Sequence, residues 1–250
     1  YIESGNVFNS KSLRKSHGYM SYFGGEASYE LDSLNLFTAE FNGFIYDIKS
    51  LVGSSASMLD RTGKQIYSYT QSSYPGDDRG KFFSLDGNLN YQHSTRRPGE
   101  IIGVGYLVST THSNDDEGQQ YSELSNFPLP YTKALSNTKT DFIEHTFQFD
   151  YTRPFGRIHT VEVGSKYILR NNSSKGIRDY VDYRIDNTDF SHITNIGALY
   201  AQYSANVKMW SFRAGVRYEY SNLKAKFHDG SADDFSSDFN DIVPSAGISW

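Results

Sequence analysis

Apolar and polar residues take turns along most of this chain with a period of two, the spacing of strands that present one oily and one wet face. In residues 81–92, Phe83, Leu85, Leu89 and Tyr91 share one face, while Ser84, Asp86, Asn88, Asn90 and Gln92 share the other. In 101–111, Ile102, Val104, Tyr106 and Val108 oppose Gly103, Gly105, Leu107 and Ser109. In 141–152, Phe147, Phe149 and Tyr151 alternate with Glu144, Thr146, Gln148 and Asp150. The next segment sets Val161, Val163, Tyr167 and Leu169 against Glu162, Lys166 and Arg170. Leu199, Ala201 and Tyr203 oppose Tyr200 and Gln202; Phe212, Ala214, Val216, Tyr218 and Tyr220 oppose Arg213, Gly215, Arg217 and Glu219. Weaker members lie at 19–30, at 36–47 and at 242–250. The pattern predicts about nine strands and no helix.

The connections alternate in length. Tight turns are expected at Asp32-Ser33, Arg97-Pro98-Gly99, Pro154-Phe155-Gly156 and Val207-Lys208, where Pro, Gly and polar residues suit hairpins. Between them lie long polar excursions at 49–80, 112–139, 171–193 and 226–240, read as loops too polar to join a core. Short turns on one side and long loops on the other are the pattern of an antiparallel up-and-down transmembrane β-barrel. Strands of about 10 to 13 residues fit the ~9 to 11 that cross a bilayer better than the ~5 to 6 typical of a sandwich. The expected fold is a partial barrel wall of about nine strands with long extracellular loops. A soluble or surface-exposed β-sandwich that binds glycans through its loops, and an adhesive or passive barrel without a plug, are the alternatives.

Register offers a check on this reading, because hairpins must bring like faces together. Centring one turn on Arg97 and Pro98 sets Tyr91 against Val104 and Leu89 against Tyr106. Centring the next on Phe155 sets Phe147 against Val163, Phe149 against Val161 and Glu144 against Lys166. The last pairs Tyr200 with Gly215 and Ala198 with Arg217.

Composition adds exclusions. The 250 residues contain no Cys, so thiolate metal sites, disulfides and cysteine nucleophiles are out. A net charge of −5 with scattered Lys and Arg lacks the basic face that nucleic acid demands. His17, His93, His112, His145, His159, His192 and His228 stand singly, without metal-ligand spacing. Asp77-Asp78, Asp115-Asp116-Glu117 and Asp233-Asp234 read as solvated loop tips, since the spaced ligands of a calcium loop are missing. Gly103-Val104-Gly105 sits inside a strand and reads as close backbone packing. No nucleophile elbow is present, and neither an enzyme nor a cofactor is expected.

At Phe149-Asp150-Tyr151-Thr152-Arg153-Pro154-Phe155-Gly156 and Val161-Glu162-Val163-Gly164-Ser165-Lys166-Tyr167 the chain resembles the barrel of Bacteroidetes-type TonB-dependent outer-membrane receptors. Ile196-Gly197-Ala198-Leu199-Tyr200-Ala201-Gln202-Tyr203, Phe212-Arg213-Ala214-Gly215-Val216-Arg217-Tyr218-Glu219 and Val243-Pro244-Ser245-Ala246-Gly247 continue the resemblance, which covers about 142–250. It implies a plugged barrel in the Gram-negative outer membrane that takes up a scarce nutrient (siderophore, glycan or peptide), energised through TonB. Its implied partners are outer-membrane lipid, a plug domain, TonB and a small-molecule or glycan ligand.

No plug domain, TonB-contacting segment, signal peptide or barrel-closing strand is legible. Tyr1 opens in a polar stretch, so 1–250 reads as a fragment of one barrel domain. The candidate ligand contacts are Arg170, Arg213 and Arg217 on the polar face and Tyr121 and Tyr131 in the loops. Tyr67, Tyr69, Tyr74 and Phe127 are further loop aromatics able to stack on a ligand or on one another.

Overall fold

A computed structural model describes residues 5–250; the polar stretch expected at Tyr1 falls outside them. Ten strands form one antiparallel sheet: β1 (Val7–Asp32), β2 (Asn35–Leu59), β3 (Gln65–Ser73), β4 (Asp78–Ser94), β5 (Ile101–Ser125), β6 (Lys133–Phe155), β7 (His159–Tyr180), β8 (Arg184–Val207), β9 (Trp210–Phe227) and β10 (Phe235–Ser249). Ten segments fill nine positions, because β3 and β4 occupy one place in the sheet. β2 pairs with β3 through Gly53–Leu59 and with β4 through Asn35–Ser50, and β5 pairs with both from the other side. Four residues, Tyr74-Pro75-Gly76-Asp77, separate the two halves. The break is stitched by polar bonds: the Ser73 hydroxyl accepts from the Val52 amide at 2.9 Å, the Gly118 carbonyl from Tyr74 N–H at 2.9 Å, and Asp78 Oδ1 from Gly118 N–H at 3.0 Å.

Most of the stretches expected as long loops are strand. The connections at that end shrink to 60–64, 126–132, 181–183 and 228–234, and the polar excursions form tall paired hairpins. Above a membrane both faces of a hairpin meet water, so the backbone ladder persists while the period-two signal that marks a half-wet strand vanishes. Asp115, Asp116 and Glu117 accordingly lie within β5, and Asp78 in β4, rather than in loops.

The first register expectation holds, with Tyr91 opposite Val104 and Leu89 opposite Tyr106. The second slips by four residues: Phe147 faces Tyr167, Phe149 faces Ser165, and Glu144 meets Arg170 instead of Lys166. The third slips by two, setting Tyr200 against Arg217 and Ala198 against Glu219. Both errors come from turn placement. The chain reverses at Gly156-Arg157-Ile158, where Gly156 takes φ 66°, and at Lys208-Met209, where Lys208 takes φ 55°. Even-numbered slips keep every side chain on its expected face, which is why the face assignment survives.

The sandwich alternative fails on burial. A second sheet would cover one face, yet the only buried apolar residues among those described are Ala56, Ala134, Ala198, Ala205 and Ala225. Leu89, Phe147, Leu199 and Ile242 are exposed. On the outward face each strand carries a run of positions without Asp, Glu, Lys or Arg: Phe37 to Ile45 on β2, Tyr91 to Phe83 on β4, Ile102 to Thr110 on β5, Tyr151 to Ile143 on β6, and Val161 to Leu169 on β7. Five alternate positions cover about 27 Å of strand, which at a spanning tilt matches most of the roughly 25 Å apolar band of a membrane barrel.

Candidate functional site

The opposite face is polar and concave. Ser12 and Arg14 of β1 line one hollow of about 380 Å³ together with Arg178 of β7, although four other sheet positions separate these strands. Curvature alone brings them together. A second hollow of about 610 Å³ lies lower, lined by Asn88, Asn90, Gln148, Asp150, Glu144 and Lys166. Gly103 and Gly105 leave the backbone bare there, and a methyl group on Gly105 would sit 3.0 Å from Asn90 Oδ1.

Hydrogen-bonded pairs, some between strands and some along one strand, order this inner wall. Arg170 Nε donates to Glu144 Oε2 at 2.7 Å, Gln202 Nε2 to Glu162 Oε2 at 2.7 Å, and Gln148 Nε2 to Asp150 Oδ2 at 2.8 Å. The Tyr200 hydroxyl donates to Asp150 Oδ1. Arg217 donates to Glu219 at 2.6 Å and lies 5.9 Å from the Tyr200 ring centroid. Arg170, Arg213 and Arg217 therefore all sit on the concave face, as expected, but two of the three already hold a carboxylate. Arg213, paired in the ladder with Ser204 and Gly247, is exposed there.

Tyr121 and Tyr131 lie at the hairpin end. Tyr121 packs against Tyr69 (5.4 Å between centroids), Phe127 (4.9 Å) and Tyr131 (6.3 Å), and Tyr131 continues the cluster to Tyr180 at 4.6 Å and Tyr183 at 6.3 Å. Burial pushes both phenols above the usual tyrosine range, and the neighbouring rings add to the shift. Tyr67 stacks on Tyr69. Tyr74 stands apart, under the Lys133 ammonium at 4.6 Å. Apart from Tyr74, these aromatics form a continuous shelf at the hairpin end of the concave face.

Arg178, Tyr180, Tyr183 and Arg184 are not legible as site residues in the sequence, where 171–193 reads as one loop. Arg184 lies over both Tyr180 and Tyr183, at 5.2 and 5.8 Å, so the β7–β8 turn is clamped by cation–π contact. The two tyrosines flanking Asp182 were the available signal. No group of metal-ligating side chains assembles among the described residues.

A sequence model of the outer membrane protein beta-barrel family matches residues 93–250. No curated protein sequence matches the chain. Among solved structures, the ferric citrate transporter FecA in its unliganded form superposes with a TM-score of 0.54 at 13% identity, over 97% of this chain and 41% of that one. The ferric yersiniabactin uptake receptor FyuA from Yersinia pestis gives 0.50 at 9% identity, over 96% of this chain and 43% of that one. At such identities the likeness concerns the fold. The chain spans less than half the length of either protein.

Proposed function

The chain belongs to the outer membrane protein beta-barrel family and is an outer-membrane protein, and from that premise we propose that it supplies wall strands and extracellular hairpins to a TonB-coupled transporter of a scarce nutrient. In this reading the 250 residues are part of a single barrel domain, with a wall role and no catalytic one. The observation that carries it is the division of one curved sheet into an uncharged outward belt and a hydrogen-bonded polar concave face capped by tall hairpins. A lumen lined by Gln, Asn and paired charges suits a hydrated or plug-filled interior, as an apolar core would not. The fold shared with FecA and FyuA, whose names specify ferric citrate transport and ferric yersiniabactin uptake, supports a transport role.

The proposed ligand contacts are Tyr121 and Tyr131 on the aromatic shelf, with Arg170, Arg213 and Arg217 deeper on the same face. The plug domain and TonB are the proposed partners.

Uptake assays test the reading. Cells with and without the full-length gene are given labelled ferric citrate, a ferric catecholate, an oligosaccharide and a short peptide, each with and without a protonophore. Uptake of one of them that needs both the gene and the proton gradient is expected. Gene-dependent uptake indifferent to the protonophore would instead identify a passive barrel.

A further inference from the structure

Directly above the uncharged belt, at the hairpin end, the outward face turns basic at one corner. On β1, Lys11, Leu13, Lys15 and His17 project outward in succession, and β2 sets Leu51 opposite Lys15 and Lys49 opposite His17. β4 then places Arg79 opposite Lys49 and Lys81 opposite Asp47. Lys49 and Arg79 thus face each other directly, an arrangement that costs stability unless an anion lies near. Asp47 supplies only part of that charge, because Arg79 Nε binds its Oδ1 at 2.8 Å. Asp77, 3.9 Å from His17, Asp116, opposite Arg79, and Glu123, which lines one hollow with Lys11, are the other acids nearby. Five fixed cations (Lys11, Lys15, Lys49, Arg79, Lys81) meet four carboxylates (Asp47, Asp77, Asp116, Glu123), on a chain whose net charge is −5. Among the described residues, none of the four lysines has a carboxylate at ion-pair distance.

Elsewhere along the same level lysines have acids closer by: Lys175 binds Asp189 at 3.0 Å even though it faces Lys139 in the ladder, and Lys224 lies near Asp238. Leu13 and Leu51, 64% and 48% exposed, stand between the unpaired lysines. Apolar side chains interleaved with long cationic ones, one step beyond a lipid-facing belt, suit the boundary between acyl chains and headgroups. We propose that this corner of β1, β2 and β4 binds the phosphate groups of a phosphorylated glycolipid in the outer leaflet. The inference rests on the reading that the tall hairpins face outward.

The full-length protein carrying this chain, purified in detergent, is titrated with bisphosphorylated lipid A, with the same lipid stripped of its phosphates, and with inorganic phosphate, and bound lipid is counted by native mass spectrometry. Roughly tenfold tighter binding of the phosphorylated lipid is expected. K15Q/K49Q/K81Q should erase that preference, whereas K64Q/K133Q/K208Q, with the same charge change elsewhere, should keep it. If the triple variant does not insert, K49Q alone should narrow the preference. Equal affinity for the two lipids, an unchanged preference in the lysine variants, or displacement of the lipid by equimolar inorganic phosphate overturns the proposal. Orientation is read separately, by labelling Ser231→Cys in intact cells with an impermeant maleimide. A label confirms the outward hairpins, while its absence overturns the outer-leaflet assignment even where lipid A binds.

Discussion

The ring of Tyr200 on β8 lies across Gly164 on β7, so closely that a methyl group on Gly164 would meet two ring carbons and the hydroxyl oxygen at 2.5 Å. An aromatic covering a bare glycine was expected for Tyr200, but with Gly215 on the other side. The close approach requires glycine, and Gly164→Val should destabilise the wall by about 1–3 kcal/mol through overpacking. Urea unfolding in lipid vesicles measures this. In a Tyr200→Ala background the penalty should shrink, because the obstructing ring is gone.

Gly118 offers a harder constraint. A Cβ there would lie 1.6 Å from the Tyr74 carbonyl oxygen, which belongs to backbone and cannot swing aside. Gly118→Ala should therefore open the stitched break between β3 and β4, with faster amide exchange at Tyr74 and Gly118. Gly103→Ala, whose nearest contact would be Asp150 Cβ at 3.8 Å, should leave the wall intact. Equal exchange in the two variants would contradict this account of the break.

The belt predicts a face-dependent response to charge. Phe147, 52% exposed on the outward face, should cost about 2–4 kcal/mol when replaced by Arg, the penalty for a cation near the bilayer midplane. The adjacent Gln148→Arg, on the wet concave face, should change stability little. Folding yields and unfolding midpoints in vesicles compare the pair, and similar losses at both positions would argue against lipid on the outer face.

At the tip of the β2–β3 hairpin, Asp60 accepts from Thr62 Oγ1 at 2.6 Å, from Thr62 N–H at 2.8 Å and from Lys64 N–H at 3.0 Å. The Thr62 hydroxyl, followed by these amides, holds its carboxyl below the usual range. A depressed carboxylate stabilises the turn above its unfolded pKa, and that contribution is lost as pH falls through the lower folded value. Protection of the Thr62 and Lys64 amides should thus persist near neutrality and fade in acid below about pH 4. Asp60→Ala should lack it at every pH.

Local sequence determined the two faces, the count of nine wall positions and the tight turn at Arg97-Pro98-Gly99. Each follows from period-two patterning or from turn chemistry written in adjacent residues. The concave placement of Arg170, Arg213 and Arg217 was legible for the same reason, since parity along a strand fixes the face. Pairing depth was not. Whether Glu144 meets Lys166 or Arg170 depends on where the chain turns, and Phe155 and Gly156 are both plausible centres until the ladder on the far side of β7 is counted. The hairpins, the broken position of β3 and β4, and the aromatic shelf from Tyr69 to Tyr183 belonged to the tertiary structure alone. Where water lies on both faces no hydrophobic alternation is imposed, so only hydrogen bonding to a neighbouring strand marks those residues as structure.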